Sequence, residues 1–76
     1  MALIKSIDQK PLQSDAKHLE VECSYTIVTD ENGSKFLQLD TYGSSRRAIP
    51  GKKSQSLRFA PEGIAALKAI IQQNGL

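Results

Sequence analysis

From Leu19 to Ile27 apolar and polar side chains alternate without a break, with Leu19, Val21, Cys23, Tyr25 and Ile27 on one side and Glu20, Glu22, Ser24 and Thr26 on the other. A period of two is the signature of a strand with one buried face. Asp30-Glu31-Asn32-Gly33 follows, with Asp where a type I turn uses a side-chain acceptor and Gly where a bulge needs positive φ. This predicts a hairpin with a three-residue loop, and the loop sets the register. Pairing Asp30 with Ser34 places Ile27 opposite Leu37, Tyr25 opposite Leu39 and Cys23 opposite Thr41, so the apolar sides of both strands fall on one face. Turn chemistry and hydrophobic pattern thus agree on an antiparallel sheet that needs a cover.

The rest of the chain supplies that cover. Gly43 to Lys53 reads as turn and loop, with room for a short strand at Arg46 to Ile49, and Pro50-Gly51 suits the centre of a type II turn. Gln55 to Phe59 alternates again, Leu57 and Phe59 inward, Ser56 and Arg58 outward. Pro61 has the backbone angle of a first helical turn, Glu62 suits the positive end of the helix dipole, and Gly75 after Asn74 offers a left-handed stop, which predicts a helix over 61–73. Ile64, Leu67 and Ile71 form its apolar stripe, while Ala65, Ala66, Ala69 and Ile70 widen it beyond what one sheet covers. That excess predicts a dimer interface built from Ile64, Leu67, Ile70 and Ile71. Residues 1–17 are either an edge strand around Ala2-Leu3-Ile4 and Ile7 or an arm connecting to the core at residues 18–73. The expected fold is α+β, an antiparallel sheet of about four strands followed by one C-terminal helix, in a single domain over 1–76.

With 76 residues, such a chain buries only about 60% of the surface its unfolded form exposes, so its core is marginal. Cys23 is the lone cysteine, which excludes an internal disulfide and fits a reducing cytoplasm. His18 and Cys23 make too few soft ligands for a metal cluster, so no metal or cofactor is expected. Self-association is the remaining way to enlarge the core. No apolar run approaches the 18 or so residues of a membrane span, and the N-terminal residues lack a signal-peptide pattern. The expectation is a soluble, cytoplasmic protein.

The net charge of +2 conceals a dipolar chain: residues 1–42 carry four Lys against seven Asp or Glu, whereas residues 43–76 carry six basic groups against Glu62 alone. Arg46, Arg47, Lys52 and Lys53 lie within eight positions. Two readings of that cluster stand, a solvated loop and a phosphate-binding loop that releases counterions on binding. The second gains from strand context, because Gln38, Tyr42, Gln55, Ser56 and Arg58 are expected on the exposed side of the adjoining sheet. Tyr42 either stacks a base or packs a strand end, and Phe36, which breaks the alternation beside Leu37, either covers the sheet edge or adds a second stacking surface. Catalytic patterns are missing: His18 has no nucleophile or metal partner at a recognisable spacing, Glu20 and Glu22 read as a solubilising strand face, and Cys23 points inward. The chain is therefore read as no enzyme.

Phe36-Leu37-Gln38-Leu39-Asp40, Pro50-Gly51-Lys52-Lys53-Ser54, Gln55-Ser56-Leu57, Ala60-Pro61-Glu62 and Leu67 with Ile70-Ile71 together give the chain a pattern that resembles the positive cofactor four family of transcription coactivators and its small bacterial relatives. Thr41-Tyr42-Gly43-Ser44 stands where that family has an Arg-Glu-Tyr-Tyr/Trp-like run, and Gly63-Ile64 where it has Trp after Pro-Glu. The resemblance implies a curved four-stranded antiparallel sheet backed by one helix, a homodimer formed through the helices, and binding of single-stranded DNA. By position, Lys52 and Lys53 would contact phosphates, with Arg46 and Arg47 in the same loop. The leading expectation is a non-enzymatic single-stranded nucleic-acid-binding protein, DNA ahead of RNA, of low sequence specificity and acting in transcription or DNA metabolism. Arg58 and Tyr42 complete its site. A protein-interaction or assembly subunit with the same fold is the alternative.

Overall fold

A computed structural model describes residues 1–43 and 53–76. Its elements are β1 (Ala2–Ile4), β2 (Cys23–Thr29), β3 (Lys35–Tyr42), β4 (Lys53–Phe59) and α1 (Pro61–Gln73), in the α+β order expected. The strands form one sheet ordered β1-β4-β3-β2. The expected short strand at Arg46 to Ile49 and the Pro50-Gly51 turn lie outside the described residues.

The hairpin follows from its turn. Asp30 Oδ1 accepts hydrogen bonds of 2.9 Å from the amides of Asn32 and Ser34, Gly33 takes φ +81°, and β2 pairs with β3 in the anticipated register, Ile27 with Leu37, Tyr25 with Leu39 and Cys23 with Thr41. The strand is shorter at its start than its alternation suggests. Leu19 and Val21 are exposed and precede it, and beyond Cys23 the Tyr42 amide still reaches the Glu22 carbonyl at 3.0 Å.

The N-terminal segment does add an edge strand, and it corrects the expectation of a wholly antiparallel sheet. Residues Ala2, Leu3 and Ile4 pair in parallel with Leu57, Arg58 and Phe59, so the sheet is mixed. β1 also seats the helix: the Ala60 amide donates to the Ile4 carbonyl at 2.9 Å, and a Cβ on Gly63 would sit 2.3 Å from that same oxygen. Only glycine permits this approach. The helix then runs Pro61–Gln73 as predicted and stops at Asn74, with Gly75 at φ +66°.

α1 lies over β3 and β4, on the face that carries Ile4, Leu37, Leu39, Leu57 and Phe59. Its cover does not extend to β2, where Tyr25 and Ile27 keep 71% and 54% of their surface exposed. Cys23, expected inward, is exposed for the same reason. Among the described residues the buried apolar core is Phe59 and Ala60, and no large side chain is fully enclosed. No described helix is long and apolar enough to cross a membrane.

Candidate nucleic-acid interface

The opposite face of the sheet is built by the other half of each alternation. Register places Leu3, Arg58, Gln38 and Thr26 in one row across the four strands, with Ser56, Asp40 and Ser24 in the next row. Beyond them the β3–β4 ladder slips at Thr41/Tyr42, so that Tyr42 pairs with Lys53 rather than with Ser54. Strict alternation from Phe59 would turn Lys53 toward the helix side. The irregularity re-aims it, and its Nζ lies 3.5 Å from Asp40 Oδ2.

These side chains form one connected network. Arg58 donates to Gln38 Oε1 from both Nε, at 3.0 Å, and Nη2. The Gln38 amide nitrogen in turn donates to both carboxylate oxygens of Asp40, at 3.1 and 3.2 Å, and Ser56 Oγ donates to Asp40 Oδ1. Asp40 is only 3% exposed and Gln38 is buried, yet every buried side-chain nitrogen and oxygen among the described residues has a partner. The Ser56 hydrogen bond, followed by those of Gln38 and the charge of Lys53, outweighs desolvation and holds the Asp40 carboxyl below its ordinary value. Alongside, the hydroxyls of Ser24 and Tyr42 share a hydrogen bond of 2.8 Å, which fixes the tyrosine ring in a half-buried position.

The structure thus brings Arg58, Tyr42 and Lys53 onto one face. Arg46, Arg47 and Lys52 lie outside the described residues, which end at Gly43 and resume at Lys53. Gln38, expected exposed, is buried in the network, and Gln55 pairs with Thr41 on the helix side of the sheet rather than with Ser56 and Arg58. Asp40 was missed as a site residue. The available signal was a matched pair of polar positions two apart on neighbouring strands, Gln38 with Asp40 and Ser56 with Arg58. Of the residues expected at a dimer interface, Ile64, Leu67 and Ile70 are half-buried and Ile71 is exposed.

Among the described residues, His18 is exposed with its Nδ1 against the Ala16 carbonyl at 2.8 Å, Glu20 and Glu22 precede β2, and no three potential metal ligands cluster. Neither a family model, a curated protein nor a solved structure matches the chain.

Proposed function

We propose that the chain is a non-enzymatic, homodimeric protein of the cytoplasm that binds single-stranded nucleic acid, DNA ahead of RNA, with low sequence specificity, in the manner of a positive cofactor four relative serving transcription or DNA metabolism. One observation carries this reading: the slip in the β3–β4 ladder turns Lys53 onto the face that already holds Arg58 and Tyr42, where the basic connection between the two strands also ends. A cation at the mouth of that connection, a guanidinium held by Gln38 and an anchored aromatic ring give phosphate and base contacts on one surface. Asp40 does not spoil the surface for phosphate, since Lys53, Gln38 and Ser56 surround its charge.

Fluorescence anisotropy of a labelled single-stranded oligonucleotide at several salt concentrations tests the reading. Each phosphate neutralised on a single strand contributes about −0.7 to the slope of log K against log salt. The double variant Lys52→Ala, Lys53→Ala should therefore weaken binding on every sequence and flatten the slope by roughly 1.4. Unchanged affinity and slope in that variant would remove the assigned site.

A protein-interaction subunit is the second reading, favoured by the exposed Tyr25 and Ile27 on the helix face. Salt-independent failure to bind any oligonucleotide would select it.

A further inference from the structure

At the far end of the same face from Lys53, the polar network gives way to a cleft of about 360 Å³ lined by Leu3, Val28, Phe36, Asp30 and Arg58 with Met1 and Ala2. We propose that this cleft takes a single unstacked nucleobase, an inference that rests on the nucleic-acid reading above. Its volume is at the small end of ligand-sized sites, suited to one flat ring. Register explains its walls. Val28 and Phe36 pair directly on neighbouring strands, and Leu3 pairs with Arg58 one row away, so apolar surface from β1, β2 and β3 faces the cleft while β4 adds the guanidinium.

The polar groups at the rim are held in place. The Asp30 carboxylate is pinned by its Oδ1 in the hairpin turn, and its Oδ2 takes part in no hydrogen bond among the described residues. Arg58 spends Nε and Nη2 on Gln38, which fixes its plane and leaves Nη1 without a bond among the described residues. An anion on the hairpin side and a cation on the β4 side match a ring whose faces are apolar and whose edge carries both donors and acceptors, as every nucleobase does. A purely aliphatic ligand would leave both charges unanswered. Phe36 is half-buried, and its position here supplies a stacking surface on a strand that also carries Asp40 and Tyr42. A strand bound by its phosphates near Lys53 therefore has a place to insert a base farther along the same face.

The experiment compares a labelled single-stranded oligonucleotide with an abasic oligomer of the same phosphate count, by anisotropy over a salt series. Wild type should prefer the base-bearing strand by about fivefold or more, since stacking one base on an aromatic side chain is worth at least about that factor. Phe36→Leu, which keeps the site apolar, should lose several-fold of this preference while its affinity for the abasic strand and its salt slope stay unchanged. Leu3→Ser, at a position 55% exposed and so safe for folding, should do the same. An undiminished preference in both variants overturns the base site, as does a wild type that binds both strands equally and with strong salt dependence. Failure to bind either strand at low salt overturns the nucleic-acid reading itself, and the base site with it.

Discussion

A carboxylate in the middle of a face proposed to meet phosphate needs a physical account, and Asp40 has one. Its hydrogen bonds from Ser56 and Gln38 and its ion pair with Lys53 all favour the charged form, which is why its native pKa falls below the ordinary 3.8. A group with a depressed native pKa contributes stability that is fully present above its unfolded value and drains away as pH falls through the native one. Wild type should therefore lose stability on the acid side, below about pH 4. Asp40→Asn, which keeps the shape and removes the titration, should be less stable at neutral pH and show a flatter acid limb in thermal unfolding from pH 7 to pH 2. An acid limb identical to that of wild type would show that Asp40 is not the group responsible. Gln38 is polarised by its two neighbours, giving its oxygen to Arg58 and its nitrogen to Asp40, the only amide orientation that satisfies both. Such a network specifies the face as one unit, so changes at Arg58 and Asp40 should couple rather than add.

The hairpin and the helix were legible in the sequence because each carries its own local signals. Asp30 and Gly33 define the turn, alternation defines the faces, and Pro61 and Gly75 bracket the helix. The pairing of β1 was not legible. Three residues carry no period, and parallel partnership with β4 is decided by a contact far along the chain. The slip that re-aims Lys53 was hidden for a related reason, since a bulge breaks the alternation from which faces are read. Contact between β1 and α1 is where these elements depend on one another. At Gly63 a side chain would meet the Ile4 carbonyl at 2.3 Å, a backbone atom that cannot swing aside. Alanine gains about 1 kcal/mol of helix propensity over glycine, yet overpacking costs typically 1–3 kcal/mol, and in the variant the added Cβ would push on the carbonyl that accepts the Ala60 hydrogen bond. Gly63→Ala should lower the thermal midpoint by roughly 4–8 °C for each 1 kcal/mol lost. A raised midpoint would mean that β1 is not held against the helix.

At the scale of the whole molecule the imbalance lies between apolar surface and cover. One helix shields β3 and β4 but leaves Tyr25 and Ile27 open, and its own Ile71 is 41% exposed, as is Leu57 of β4 at 39%. Among the described residues Phe59 and Ala60 are a slender core, and a second copy laid helix face to helix face would cover the open β2 side chains together with Ile64, Leu67, Ile70 and Ile71. Such an interface is isologous, so each side chain acts twice. Burying an isoleucine contributes about 1.5–3 kcal/mol, and replacing it with a charge in both subunits would weaken association by several orders of magnitude. Wild type should accordingly sediment as a dimer at micromolar concentration, with a thermal midpoint that rises with protein concentration. Ile71→Glu should sediment as a monomer with a lower midpoint independent of concentration. It should also bind single strands more weakly at an unchanged intrinsic site, because two basic faces on one strand act at high effective concentration. A wild-type midpoint that holds constant through a hundredfold dilution would leave the apolar face to a different protein.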